Sequence, residues 1–475
     1  MTLKDVDVEA TIKQVKELLA QEKSLSPALK STIEMLILIV TLLVNRLGLD
    51  SSNSSKPPST DPNRKRKDKR KHQKKPGGQH GRIGVTLEKV KDPDEIKVLK
   101  LDKRTLPRGK SYREIGFEAR QVIDIKLSTI VTEYRAQKLE DENGKQYVAP
   151  FPKAVTRPVQ YGANLKAHSV YMSQFQLIPY NRIQDHFRDQ LNIDISPGTL
   201  YNINQQAYEQ LARFEAITIN NLTRTAVIHA DETGINVNGK RIWLHCASSE
   251  SWTHFYPHTK RGTEAMDKIG ILPNFKGVLC HDHWKPYYTY GCTHALCNAH
   301  HLIELERAWE QDGQSWAKNM KRLLEQMNKA VNDAGGQLSA SKDQVYRKKY
   351  KTILDKAALE CPPPDESKRV NKRGRMKRSK ARNLLERLIH YEEDVLRFME
   401  AEIVPFTNNR GENDIRMTKV QQKISGCFRS MDGAYIFCRI RGYLSTCRKQ
   451  GMKPSEALSL LFSGELPDFI VESGE

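Results

Sequence analysis

Hydrophobic spacing changes several times along the chain. Ile33, Leu36, Val40, Leu43 and Leu47 recur in alternating steps of three and four, the spacing of a helix with one apolar seam. That seam can pack within the chain or form a dimerising coiled coil. From about Lys91 to Pro152 the text turns β-like: IKVLKL, FEARQVIDIKLSTIVTEYRAQKL and GKQYVAPF, with a turn signal at Glu142-Asn143-Gly144. A small β-rich module is expected there. Residues 161–215 return to a helical period. The segments RIQDHFRDQL and PGTLYNINQQAY, joined through Asn192 to Ser196, predict two helices, with Ser196 as N-cap and Pro197 at the first helical position. This is the outline of a helix-turn-helix, whose second helix could enter a DNA major groove, with Thr199 and Asn202 as candidate contacts.

From Thr223 the pattern reads as strand RTAVIHADE, turn GINVNGK, strand RIWLHCASS, strand WTHFYPH, helix TEAMDKIG, strand KGVLCHDH, a further helix and strand HALCNAH. Three strands joined by tight turns form an antiparallel meander, whereas strands separated by a helix are usually parallel. That order is the order of a ribonuclease H-like fold. Between His301 and Tyr391 the chain is mostly helical, interrupted by the basic stretch CPPPDESKRVNKRGRMKRSK, and YIFCRIRGYLSTCRKQGMKPSEALSLLF closes the chain with amphipathic helices.

The resulting expectation is a multidomain α+β protein. It has an N-terminal helix or coiled coil (1–50), a basic linker (51–90), the β-rich module (91–160), the helix-turn-helix (161–222), and a catalytic α/β domain (223–302 and 399–475) split by a helical insertion (303–398). Composition sharpens this picture. Across 475 residues, 77 Lys and Arg stand against 57 Asp and Glu, a formal net charge of +20, so nucleic acid is the expected partner. The linker holds Arg64, Lys65, Arg66 and Lys67 among Ser, Pro and Gly, a cationic tether that gains affinity by releasing phosphate counterions. The apolar run Met35 to Val44 is short of the roughly 20 residues that a bilayer span needs. No membrane association is therefore expected. The acidic start MTLKDVDVEA is unlike a signal peptide, and all 8 Cys lie at or beyond Cys246, so a cytoplasmic, nucleoid-associated protein with reduced thiols is expected.

Acids near strand ends raise a sharper question. In the expected sheet the first strand and the strand after the helix are neighbours, so Asp231 and Asp282 can converge. Clustered carboxylates hold two Mg²⁺ ions about 3.5–4 Å apart, which clamp the attacking and leaving oxygens of a phosphodiester. A third acid stands in FTNNRGENDIRMTKVQQK, where Thr407, Asn408 or Asn409 can cap a helix carrying Glu412, Arg416, Lys419 and Lys423 on one face. Asp414 is the rival, roughly 200° around that helix. Glu232 is the rival of Asp231, on the opposite strand face. Residue physics leaves that choice open.

HADETG, HDHW, CNAH and NNRGENDIR, in this order, resemble the DDE transposases of bacterial insertion sequences, specifically the insertion sequence 66 family. SSNSSKPPS with the basic run, IPYNRIQDHF and ISPGTLYN are similar to that family's linker and DNA-binding segment. The resemblance implies a catalytic, metal-binding triad of Asp231, Asp282 and Glu412, with Asn408, Asn409 and Arg416 matching the motif around the glutamate. It also implies Mg²⁺, with Mn²⁺ as substitute, and double-stranded DNA as transposon ends and target. A homodimer or larger synapse and accessory transposition proteins are further implied partners. Two positions depart from the pattern. Asn413 stands where many members carry Arg, and residues 91–152 lack the cysteines of a zinc module. Cys297-x-x-His300 is the best-spaced pair of zinc ligands, but no second pair accompanies it, so structural zinc is not expected. The pair instead resembles an active-site-supporting feature of related transposases. The alternative to a transposase is a DNA-binding protein that retains an inactive nuclease-like fold.

Overall fold

The structure, a computed structural model, describes residues 2–3, 6–22, 24–47, 49–50, 53–54, 87–365 and 376–472. Arg64, Lys65, Arg66 and Lys67 lie outside them. At the N-terminus β1 (Thr2–Leu3) pairs antiparallel with β2 (Val6–Asp7), followed by α1 (Val8–Gln21) and α2 (Pro27–Leu47). The expected seam of α2 is divided: Ile33, Ile37, Thr41 and Val44 form a half-buried side, whereas Leu36, Val40, Leu43 and Leu47 are exposed. The helix extends well beyond Met35–Val44. Its Pro27–Val44 stretch, with a mean hydropathy of 1.9, is long and apolar enough to cross a membrane by length and composition.

In the stretch expected to be β-rich, β3 (Lys138–Glu140) and β4 (Gln146–Val148) form one hairpin around Glu142-Asn143-Gly144. It is the only ladder among the described residues of 91–160. Val98, Leu99, Ile115, Phe117 and Val131 are exposed, so no second layer buries the β-branched side chains that a sheet needs.

Helices α3 (Ala163–Val170), α4 (Tyr180–Leu191), α5 (Pro197–Gln210) and α6 (Ala212–Arg224) come next, with a π-helical turn at Tyr171–Phe175. Asn192 ends α4 in the left-handed conformation at φ 53°, and Ser196 caps α5 by accepting the Thr199 N–H at 3.1 Å. Ile183, Phe187, Ile195, Leu200 and Ile203 join one core that fixes the two helices together. Tyr201 and Asn202 remain exposed, and Thr199 is half-buried.

Strands β5 (Val227–Val237), β6 (Lys240–Ser248), β7 (Thr253–His258), β8 (Val278–His281) and β9 (Thr293–Leu296) form one mixed sheet in the order β7-β6-β5-β8-β9. β5, β6 and β7 are an antiparallel meander; β8 and β9 run parallel to β5, with α7 (Thr263–Ile269) crossing from β7 to β8. Two boundaries differ from the sequence reading. β5 continues through Gly234–Val237, and the turn is the pair Asn238-Gly239, both at positive φ. Asn-Gly is the strongest short hairpin signal, and the alternate burial of Thr233, Ile235 and Val237 supplies the strand period. β9 ends at Leu296, and CNAH instead starts a helix. A 3-10 turn (Lys285–Thr289) makes the β8-to-β9 connection where a helix was expected.

Beyond β9 the chain is helical: α8 (Asn298–Glu310), α9 (Ser315–Asp333), α10 (Ala340–Glu360), α11 (Lys380–His390) and α12 (Glu392–Leu396). Their core of Trp316, Met320, Leu324, Tyr350, Leu384 and Leu388 is continuous with Cys280 and Leu296 on one face of the sheet. The chain then closes with α13 (Asn409–Ser425), α14 (Met431–Lys449), α15 (Pro454–Ser463) and α16 (Asp468–Glu472). Ile440, Tyr443 and Leu444 of α14 share a core with Ile228, Ala230 and Leu279 on the other sheet face. All eight cysteines are free, and only Cys427 is exposed.

Candidate active site

The parallel register of β5 and β8 pairs Val227 with Val278 and His229 with Cys280. Two residues farther along each chain, Asp231 and Asp282 stand level with one another, just past the last pair. The carboxyl ends of parallel strands are where open α/β sheets receive ligands. Asp282 leaves β8 through a fixed bend. Its Oδ1 accepts the Trp284 N–H at 3.0 Å, and His283 between them has φ 70°, a left-handed conformation that costs a non-glycine residue about 1–2 kcal/mol. Asp231 Oδ1 accepts the Glu232 N–H at 2.8 Å.

Helix α13 brings the third carboxylate. It packs on the Asp231 face of β5, where Ile415 shares a core with Ile235 and Val237. Gly411 makes the approach possible: a Cβ there would stand 3.5 Å from Asp231 Cβ and 3.4 Å from the Asn408 side chain. Glu412 follows directly. Asn408 is the N-cap residue, yet its side chain does not cap. Expected at a DNA surface, it is 2% exposed and braces the strand instead, donating Nδ2 to Ala230 O at 2.8 Å and accepting from His229 Nδ1 at 2.8 Å. Burial pushes His229 down to about 4, so the ring is neutral at that contact. Asn409 is exposed, as are Arg416, Lys419 and Lys423 at successive turns beyond Glu412.

The rival acids are engaged elsewhere. Glu232 points to the opposite face, where its 2%-exposed side chain accepts two hydrogen bonds from Arg261, at 2.9 and 2.5 Å, and one from Tyr287 OH at 2.5 Å. Asp414 accepts from Lys449 Nζ at 2.8 Å and from Ser248 Oγ at 2.5 Å, with Thr253 and Ser445 near by. Lys449 was invisible to sequence reading because it lies 35 residues away on α14. Among the described residues, Asp231 and Asp282 have no cationic partner. Burial first, then the charges of Glu232, Asp282 and Glu412, push the Asp231 carboxyl up to about 7. Hard divalent cations take oxygen donors of this kind, and the donor set fits one.

A model of the IS66 transposase family matches residues 158–436, from just before α3 through the first turns of α14. The chain belongs to the IS66 transposase family. A second model, a family of unknown function (DUF6444), matches residues 4–88. The chain is 30% identical over 138 residues to an uncharacterized protein, y4jO, of Sinorhizobium fredii, a stretch that is 28% of this chain and 42% of that protein. It thus spans about two fifths of the length of this curated relative. The family match contains both helices α4 and α5, the whole sheet and the Asp231, Asp282 and Glu412 positions.

One neighbour of Glu412 comes from the helix after β9. Cys297, the N-cap of α8, and His300 one turn on bring Sγ and Nδ1 to 4.0 and 3.8 Å from Glu412 Oε1. The contact with Cys297, then the charge of Glu412, pushes His300 up to about 9 against the opposing effect of burial.

Proposed function

We propose that the protein is a DNA transposase that binds the terminal inverted repeats of an insertion sequence and catalyses strand cleavage and strand transfer. On this reading 223–302 and 399–475 are a ribonuclease H-like catalytic domain split by the insertion 303–398, and 161–222 is a helix-turn-helix that reads DNA. The observation that carries it is the convergence of Asp231, Asp282 and Glu412, while Glu232 and Asp414, the competing acids, each have a cation and hydroxyl donors of their own.

Asp231, Asp282 and Glu412 are the residues that would hold divalent cations, Mg²⁺ with Mn²⁺ as substitute. When bound, these ions supply the positive charge that activates a nucleophile and stabilises a leaving oxygen. The chain's residues do the rest. Arg416, Lys419 and Lys423 form a cationic face for the phosphates that flank the cut, and the exposed Tyr201 and Asn202 of α5, beside the half-buried Thr199, offer groove contacts. Asn408 and Gly411 fix the distance between β5 and α13. In cleavage, water attacks the scissile phosphorus and the bond to the 3′-oxygen breaks. The freed 3′-hydroxyl then attacks a target phosphodiester in the same in-line geometry. Two ends must be held together, and the exposed Leu36, Val40, Leu43 and Leu47 on α2 suit self-association with a second copy.

The test is Mg²⁺-dependent cleavage of a duplex carrying the element's own terminal repeat, comparing wild type with Asp282→Asn. Nicking confined to the repeat end and lost in the variant supports the reading. Specific binding without cleavage by either protein, with both ends and accessory factors present, would replace it with a DNA-binding protein on an inactive scaffold.

A further inference from the structure

We propose that Cys297, His300 and Glu412 form a second, transition-metal site that takes Zn²⁺ and thereby withdraws Glu412 from the acidic centre. The three ligand atoms lie within 4.8 Å of one another. Two of the separations are Sγ to Oε1 at 4.0 Å and Nδ1 to Oε1 at 3.8 Å. Tetrahedral zinc bonded to one sulfur, one nitrogen and one oxygen needs edges of about 3.3–3.5 Å, so these two edges close by about half an ångström. His300 Nδ1 is buried with no partner at hydrogen-bond distance, and Glu412 Oε1 lies 3.8 Å from it.

Two features place the Cys297 sulfur for metal ligation. It occupies the N-cap position of the 13-residue helix α8, and the Asn408 N–H donates to its Sγ at 3.1 Å, fixing the sulfur's orientation. Backbone donors to sulfur are the outer support that thiolate metal sites use. The spacing follows from the helix: residues three apart share a face, so His300 comes round beneath Cys297. His300 and Glu412 side chains are each 37% exposed, which leaves a fourth position open to water. Sulfur and imidazole select a soft cation, and Mg²⁺ is indifferent to them. Zinc on Oε1 would hold the Glu412 carboxylate against Cys297 and His300 and compete with the acidic centre for it, so zinc acts as a brake on metal-dependent cleavage. The brake rests on the proposed transposase reading through Glu412; the metal site itself does not.

The experiment uses the full-length chain and Co²⁺, which occupies tetrahedral zinc sites and reports thiolate ligation by charge-transfer absorption. One equivalent of Co²⁺ is expected to produce that band and tetrahedral visible bands in wild type, in Cys427→Ser and in Asp282→Asn. Cys297→Ser is expected to lose the charge-transfer band, and His300→Gln to weaken cobalt binding by at least about tenfold, the least that loss of a supporting group costs such sites. Circular dichroism checks that each variant is folded; should Cys297→Ser not fold, His300→Gln decides. Zn²⁺ is then expected to displace Co²⁺ and to suppress Mg²⁺-dependent cleavage in wild type. A wild type without the band, or a band that survives in folded Cys297→Ser, overturns the site. A cobalt site intact in a protein that cleaves nothing overturns the transposase reading instead.

Discussion

Replacing Asp231 by Asn is expected to stabilise the metal-free protein while abolishing cleavage. Asp231 is partly buried among Glu232, Asp282 and Glu412, and its carboxyl is pushed from 3.8 up to about 7. The folded state therefore holds a proton that the unfolded chain releases. Stability from this group is complete below pH 3.8, drains as pH rises, and is fully lost above about 7. At about 1.4 kcal/mol per pH unit that interval sets a ceiling of about 4 kcal/mol, which water reaching the carboxylate reduces to about 2 kcal/mol. Asparagine cannot ionise, and its Oδ1 still accepts the Glu232 N–H. In EDTA at about pH 8 the variant should melt a few degrees above wild type. At about pH 5 the gap should shrink to roughly two fifths, because only about 1.2 of the roughly 3.2 pH units between the unfolded and folded pKa values have then been crossed, while the folded state still keeps its proton. Millimolar Mg²⁺ should close the gap by stabilising wild type alone. A gap of equal size at both pH values, or a variant less stable throughout, would refute the account of an uncompensated carboxylate.

Four further outcomes follow from the same geometry. Lys449→Met leaves Asp414 buried without its cation and should cost about 3–5 kcal/mol in urea melts, whereas Glu412→Gln should cost under about 1 kcal/mol yet lose cleavage. Gly411→Val adds γ-carbons where a Cβ already stands 3.4–3.5 Å from Asn408 and Asp231. It should weaken Mg²⁺ binding in calorimetry by about tenfold or more, with helix content unchanged in circular dichroism. Arg416→Gln, Lys419→Gln and Lys423→Gln should each lower the slope of log affinity against log salt by about one in anisotropy titrations, equally for any duplex sequence. His229, His245 and His283 are pushed down to about 4, burial being the main cause, so their stabilising contribution is full above pH 6.5 and is lost as pH falls through 4. Acid unfolding in that window should take up more than one proton per chain, and His229→Gln should reduce the uptake.

The elements with a strong local period were legible in the sequence. Ser196 and Pro197 mark the start of α5 because capping needs only neighbouring residues, and RTAVIHADE reads as a strand from its local apolar and β-branched run. The Asn238-Gly239 turn was equally local, but the strand was ended too early at Glu232, although Ile235 and Val237 carry the period onward. The stretch 91–160 had strand composition without anything in the sequence to announce a missing second layer. Asn408 read as an exposed polar residue at a helix start. Its burial depends on Ala230 and His229, about 180 residues earlier, and no window of sequence contains that.

The two acid pairs mark where local reading stops. Strand alternation separates Asp231 from Glu232, and helical rotation separates Glu412 from Asp414, so sequence establishes that one acid of each pair faces the other way. Which one remains free depends on distant partners: Arg261 and Tyr287 for Glu232, Lys449 and Ser248 for Asp414. Each of these locks combines a cation with a hydroxyl donor, which satisfies the acceptors of a buried carboxylate. Among the described residues, Asp231 and Asp282 receive only backbone N–H groups, 2.8 and 3.0 Å away, which orient a carboxylate without neutralising it. In a chain with a net charge of +20, cations to neutralise them are abundant, so leaving these two unpaired while pairing their neighbours divides scaffold from chemistry. On the proposed reading, the positive charge these carboxylates lack would be supplied from solution by a divalent cation, in place of the proton that the metal-free Asp231 takes up.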